Sequence, residues 1–322
     1  MKSLNKLKQL ILLVTAIVFF ASCEHEKDPV EPFLKTDAYE ETDILYATAL
    51  DTGQHSTNLL MDLYFPAVDS VSQKFPAVLL IHAGSYLHGH RGWIEPTARI
   101  LRDSGFITAN IAYRLGWDVG DYISSDRNSL PEAEYRGMQD ARAAMRYLVA
   151  NAEKYRIDTS QLFILGESAG ASIALNSAFA TEETMLYKVP EMVYKLGRLD
   201  HSGNPYLNKY KIKGICSKYG SISDSLFINA FNSIPIICFH GSNDNLVPIY
   251  KGLFLGNPES PAFGSAYIYE RQHQFGKICE FHLKTDGSHM PPEFNPNFCT
   301  PIVVDFFRGV IRNEKISSYS EH

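Results

Sequence analysis

The sequence has no C-x-x-C pair and no excess of positive charge, and each absence removes a class of function. Its five cysteines, Cys23, Cys216, Cys238, Cys279 and Cys299, are scattered, which argues against a zinc ribbon or a dithiol redox centre. Lysine and arginine number 30 against 36 aspartates and glutamates, a formal charge of −6. Such a surface repels phosphate backbones and anionic head groups, so no nucleic-acid partner and no electrostatic adsorption to membranes is expected. Internal repeats and low-complexity tracts are missing as well. No apolar run approaches the ~20 residues that cross a bilayer. What is there is 322 residues, 45% hydrophobic and 20% charged, with 21 glycines and 16 prolines. That is the composition of a globular chain with a sizeable core.

The longest apolar run, Leu10 to Phe20, follows a lysine-bearing stretch and precedes Ala21-Ser22-Cys23. Its length suits a signal peptide. Small residues directly before a cysteine resemble the lipobox of bacterial lipoproteins, which implies that Cys23 is diacylated and becomes the mature N-terminus. Two acyl chains hold a protein stably on a membrane. Removing residues 1–22 takes away Lys2, Lys6 and Lys8 and no acid, so the formal charge falls from −6 to −9. Attachment would then be covalent. From Glu24 to about Thr42 the chain is charged, contains Asp28-Pro29 and Glu31-Pro32, and shows no apolar periodicity, the pattern of a tether. The expected organisation is a lipoprotein signal peptide over 1–22, a tether over 23–42 and one folded domain over 43–322. The protein is expected to be exported and lipid-anchored on the periplasmic or cell-surface side of a bacterial membrane.

Within that domain, eight apolar, β-branched or aromatic runs bounded by Gly, Pro, Asp or Asn predict strands at 44–50, 58–65, 77–81, 107–113, 162–165, 212–219, 236–239 and 278–283. Over 136–155, Met138, Ala141, Met145, Leu148 and Val149 keep the i, i+3, i+4 spacing of a helix with one buried face. Behind Thr300-Pro301, a cap followed by proline at the first helical position, Ile302, Val303, Phe306, Phe307 and Val310 repeat that spacing. Strands alternating with helices predict an α/β fold: an eight-stranded, mostly parallel sheet covered on both faces, its first two strands an antiparallel hairpin at the edge. Two stretches exceed ordinary connections, 116–135 and 181–211, the second carrying Tyr187, Tyr194, Tyr206 and Tyr210. Both read as cap-like insertions or walls over a site.

The sharpest motif is Gly166-Glu167-Ser168-Ala169-Gly170, between the strand at 162–165 and a helix-forming run at 171–179. A nucleophile at that junction makes a strained turn, and small neighbours let the helix pack close behind it. The helix N-terminus aims free N–H groups at the reacting atom. Because a serine hydroxyl is a weak nucleophile, it needs a histidine base oriented by a carboxylate. Asp244, in Gly241-Ser242-Asn243-Asp244-Asn245 after the next-to-last strand, is the candidate acid. The candidate base is His289, in Thr285-Asp286-Gly287-Ser288-His289-Met290 after the last strand. Both project from the sheet edge that carries Ser168. Asp286 is a rival acid, but it stands only three residues before the histidine and fits the shaping of that turn better. His82-Ala83-Gly84-Ser85-Tyr86, after the strand at 77–81, is an irregular H-G-G-G loop of the kind whose N–H groups face a nucleophile. His82, His88 and His90 lack a nearby carboxylate cluster and are not read as a metal site. His82 instead braces the loop. Asp140 and Arg142 on the long helix read as a solvated or bracing face.

These residues, over about 44–312, resemble an esterase of the α/β-hydrolase superfamily, close to the hormone-sensitive-lipase-like and other carboxylesterase groups. The resemblance implies an oxyanion hole made by the N–H groups of Gly84, Ser85 and Ala169, with Ala83 and Ser85 where the motif has glycines. The expected protein is a serine carboxylic ester hydrolase with no cofactor, in which Ser168 attacks, His289 takes and returns the proton, and Asp244 orients the imidazolium. Short-chain esters, or acetyl and feruloyl groups on carbohydrate, are the expected substrates. A serine peptidase of the prolyl-oligopeptidase type would share the triad and its order. Against it, Ala169-Gly170-Ala171-Ser172 replaces that group's Gly-Gly-Tyr continuation, and no propeller precedes the domain. A non-catalytic hydrolase-fold binding lipoprotein is the other rival, yet it would not need Ser, Asp and His together. Cys216 and Cys238 read as core residues, and Cys279 with Cys299 as a candidate disulfide in an oxidising compartment.

Overall fold

A computed structural model describes residues 37–52, 54–68, 73–117, 129–315 and 317–322. The expected signal peptide, Cys23 and most of the tether lie outside these residues. The first six strands are β1 (Tyr39–Leu50), β2 (Ser56–Phe65), β3 (Phe75–Ile81), β4 (Ile107–Ile111), β5 (Ile157–Glu167) and β6 (Ile212–Lys218). The rest are β7 (Ser221–Ile222), β8 (Ile236–Gly241), β9 (Lys251–Leu253), β10 (Pro261–Gly264), β11 (Cys279–Lys284) and β12 (Ser318–Glu321). Nine of them form one sheet in the order β1-β2-β4-β3-β5-β6-β8-β11-β12, and β7, β10 and β9 form a small separate one. β2 runs antiparallel to β1 and β4, while from β4 to β12 every neighbouring pair is parallel. The carboxyl ends of β3, β5, β8 and β11 therefore share one edge.

All eight expected strands lie in this sheet, but among the described residues the sheet has nine. The addition, β12, pairs with β11 and alternates half-buried with exposed residues. Its sequence, Ser-Tyr-Ser-Glu, has no apolar run to announce it. The folded domain also begins earlier than position 43. Tyr39 stacks on Phe65, its partner across the β1–β2 pair, with ring centroids 4.4 Å apart, so part of the expected tether is strand.

The helices are α1 (Glu95–Asp103), α2 (Leu130–Ala150), α3 (Ala152–Tyr155), α4 (Ala169–Phe179), α5 (Glu182–Lys188), α6 (Pro190–Leu196), α7 (Ser265–Gln274) and α8 (Pro296–Ile311). Successive residues of a strand point to opposite faces, and β3 divides accordingly. Leu79 and Ile81 pack with α2, α4 and α7, whereas Val78 and Leu80 pack with α1 and α8. Both faces are thus covered, the arrangement of the α/β-hydrolase fold. This division also rules out the candidate Cys279–Cys299 disulfide, which the sequence left open. Cys279 belongs to the first core and Cys299 to the second, with the sheet between them, and all four described cysteines are free and buried.

Helix α8 starts before Thr300-Pro301. Asn295 caps it by accepting from the Phe298 N–H at 3.2 Å, with Pro296 at the first turn. An asparagine cap followed by proline carries the same start signal as Thr300-Pro301, and the earlier pair prevails. Helix α2 is buried on more than one face: Asp140 is fully buried and bound by Arg114 at 2.7 Å, and Arg142 donates to Ser177 O and to Asp200 at 2.9 Å. These charges brace rather than meet solvent. Leaving one partner of such a pair alone costs about 3–5 kcal/mol.

The insertion at 181–211 carries α5 and α6 and lies along α2. Gln139 donates to Leu196 O (2.9 Å) and Asn204 to Ala143 O (2.8 Å). Because α4 leaves Ser168 and runs back along the sheet, the insertion starts and ends at the amino edge of the strands. Between those ends it reaches the carboxyl half of β1, where Gly203 O accepts from Thr48 N at 2.8 Å, and the first turns of α2, where Lys195 binds Glu132 at 2.6 Å. Of the other insertion, 118–128 lie outside the described residues and 130–135 are the first turns of α2.

Candidate active site

β5 ends at Glu167 and α4 begins at Ala169, so Ser168 makes the turn alone, at φ 53° and ψ −121°. A non-glycine residue held in a sparsely populated conformation costs about 1–3 kcal/mol, so its surroundings must enforce it. Here the Ser168 N–H donates to Lys218 O on β6 (2.8 Å), and its carbonyl accepts from Ala171 N (2.9 Å) and Ser172 N (3.0 Å). The helix can sit that close only because two neighbours are glycine. A Cβ on Gly166 would stand 2.1 Å from Gly170 O, and one on Gly170 would stand 2.2 Å from Ile81 O.

Two loops from the same edge reach this serine. His289 accepts from Ser168 Oγ at Nε2 (2.8 Å) and donates from Nδ1 to Asp244 Oδ2 (2.6 Å). Asp244 Oδ1 accepts the N–H groups of Leu246 and Val247, at 2.9 Å each. Burial alone would raise the Asp244 carboxyl, but hydrogen bonds from His240 and His289 outweigh it and hold the group well below the usual carboxylate range. The acid therefore stays ionised beside its histidine. Asp286 is exposed, has φ 56°, and donates its N–H to Ser242 Oγ at 2.8 Å. It shapes the turn and does not touch the histidine line.

The loop after β3 is equally constrained. Gly84, Ser85 and Tyr86 take φ values of 131°, 54° and 60°, and Gly84 O accepts from Leu87 N (2.9 Å) and His88 N (3.1 Å). The Trp117 indole donates to Ser85 O at 3.0 Å. The N–H groups of Ser85 and Ala169 have no acceptor among the described residues, and Ala169 heads α4, where first-turn N–H groups lack helical partners. His82 is buried, stacks on Tyr113 at 4.4 Å and donates from Nδ1 to Ala83 O at 2.6 Å. Burial pushes it down to about 4, which keeps it neutral as a brace. His88 lies edge-on to Trp93, and His90 accepts from Gly92 N at 3.0 Å to cap a short 3₁₀ turn.

Several residues at the site had no assigned role in the sequence reading. Lys218 is buried and bound to Glu167 at 2.6 Å. Its burial disfavours the charge, yet Glu167, with Cys299 and Cys216 nearby, outweighs this and raises the ammonium above its ordinary value. Tyr219 presents its ring to the His289 edge at 5.9 Å and donates to Phe294 O at 3.0 Å. His240, with Ser265 behind it, touches Asp244. Only His240 left a trace in the sequence, standing four residues before the acid at the end of the strand that leads to it. Chemically, the arrangement can withdraw a proton from Ser168 Oγ while N–H donors stand beside it.

A family model, BD-FAE, matches residues 61–230, more than half of the chain, a span that includes Ser168 and the loop after β3 but neither Asp244 nor His289. A non-reducing polyketide synthase of Stereocaulon alpinum is 25% identical over 134 residues, 39% of this chain and 5% of that protein. Ethyl acetate hydrolase of Pseudomonas putida is 28% identical over 159 residues, 48% of this chain and 46% of that protein. The chain spans less than half the length of these curated relatives. Among solved structures, a truncated carbohydrate esterase from gut microbiota superposes with a TM-score of 0.60 at 18% identity, over 87% of this chain and 98% of that one. That likeness is one of fold.

Proposed function

The chain belongs to the BD-FAE family, and from that premise we propose that it is a serine carboxylesterase working through Ser168, His289 and Asp244. The observation that carries this is the His289 ring, bonded at one nitrogen to Ser168 Oγ (2.8 Å) and at the other to Asp244 (2.6 Å). Ser168 Oγ attacks the ester carbonyl as Nε2 of His289 takes its proton, and Asp244 stabilises the imidazolium. The N–H groups of Ala169, Ser85 and Gly84 receive the oxyanion. Collapse expels the alcohol, which takes the proton back from His289, and water repeats the sequence on the acyl-enzyme. No cofactor enters the cycle.

The proposed substrates are short-chain or carbohydrate-linked esters, acetyl or feruloyl. An ethyl acetate hydrolase among the relatives and a carbohydrate esterase among the structural neighbours support that range. Steady-state assays on p-nitrophenyl esters of increasing chain length, beside acetylated and feruloylated xylan fragments, test it. Turnover is expected to be highest on the short esters, with acetate or ferulate released from the fragments. Failure to cleave any of these esters would overturn the reading.

Cys23 is proposed as the anchor. Cells fed a labelled fatty acid should incorporate it into the wild-type chain but not into Cys23→Ala, which should also escape lipoprotein-type processing. Equal labelling of both would remove the anchor.

A further inference from the structure

Asp244 Oδ2 faces two imidazoles, and the triad uses only one. The other is His240, fully buried at the end of β8, with Nε2 3.2 Å from Asp244 Oδ2 and 3.1 Å from Val247 O. Both neighbours of Nε2 are acceptors, so that nitrogen carries the proton. Nδ1, 2.8 Å from Ser265 Oγ, then accepts the hydroxyl proton of this buried serine at the head of α7. We propose that His240, held in this tautomer by Ser265, is a positioning residue that fixes the Asp244 carboxylate and sets the basicity of His289. The inference rests on the triad reading above.

Two effects follow from the contacts. Among the described residues, backbone N–H groups hold only Oδ1 of Asp244, and a carboxylate pinned at one oxygen can still twist. His240 supplies the second point, on the oxygen that must meet His289. It also draws on the negative charge of that oxygen. Without it the carboxylate would hold the His289 imidazolium more tightly, and the base would become harder to deprotonate. The groups facing this pair are few: Asp244, Ser265 and the Tyr219 ring for His240, and Asp244, Ser168 and Tyr219 for His289. Nε2 of His240 lies 3.2 Å from the same Oδ2 that His289 meets at 2.6 Å, and both imidazoles favour the ionised Asp244.

The test compares His240→Leu, His240→Gln and Ser265→Ala in the full chain. It reads kcat and KM on p-nitrophenyl acetate, the pH profile of kcat/KM, and the low-field proton resonance of the His289 Nδ1–H. For His240→Leu, kcat should fall about tenfold, as loss of a supporting hydrogen bond does at other sites, with KM unchanged. The acid limb should move up by about one pH unit and the resonance should shift. His240→Gln, whose amide places an N–H near the same point, should recover most of both, and Ser265→Ala should fall between. A wild-type kcat and acid limb in His240→Leu would overturn the proposal, as would equal damage in Leu and Gln with the limb and resonance unmoved. If the leucine variant does not fold, Ser265→Ala decides, and an unmoved limb there overturns it. Ser168→Ala separates the two claims. If that variant still turns over, the triad reading fails. If it is inactive while His240→Leu is normal, only the role of His240 fails.

Discussion

Ser168→Ala abolishes labelling by a fluorophosphonate probe and lowers kcat by about five to six orders of magnitude, the loss expected when the nucleophile of a triad is removed. The size follows from what the Oγ does. It is the atom that bonds to the carbonyl, and without it the oxyanion donors and His289 can assist only direct attack by water. Little else should change, because Ser168 is held by its backbone: its N–H to Lys218 O and its carbonyl under the first turn of α4. Alanine keeps those bonds and the same positive φ. Thermal unfolding should therefore match the wild type while turnover and labelling vanish. Hydrolysis at the wild-type rate would mean that another group is the nucleophile.

For Asp244→Asn the expected loss in kcat is about 10³ to 10⁴, against little change for Asp286→Asn. The amide keeps the shape of the carboxylate and one acceptor oxygen, which the N–H groups of Leu246 and Val247 can hold. Its nitrogen then occupies the position of Oδ2 and presents hydrogens to His289 Nδ1, where the native carboxylate accepts one at 2.6 Å. The imidazole is driven to the opposite tautomer, with its proton on Nε2 facing Ser168, and the base is lost. Asp286 has no such contact; its N–H, not its carboxylate, makes the described bond to Ser242. Parallel kcat measurements on the two variants decide the matter, and the reverse ranking would make Asp286 the acid.

The local features of the chain were legible without coordinates. Apolar runs of four to eight residues bounded by turn formers marked all eight expected strands; in central ones such as β3 and β8, burial on both faces demands apolar side chains at nearly every position. Gly166, Gly170 and the alanines around Ser168 announced a turn where a helix passes within van der Waals reach of a strand. Asp244 and His289 could be nominated because each follows a strand that ends on the same edge.

Other features were not legible, and the reason in each case is a partner far off in sequence. β12 has no apolar pattern and exists by pairing with β11. Cys279 and Cys299 are 20 positions apart in sequence yet fall in different cores, because one sits on a strand facing α7 and the other on a helix behind the sheet.

The sequence by itself therefore determined the strand–turn–helix unit around Ser168, the α/β alternation and the identity of three polar residues on one edge, since these depend on periodicity and steric demand within a few neighbours. Tertiary structure alone decided which carboxylate meets His289, that His240 shares it, and that Cys279 and Cys299 lie in separate cores. Those contacts join atoms as far apart as the 121 positions between Ser168 and His289, and only the order and parallel pairing of the strands brings them within hydrogen-bonding distance.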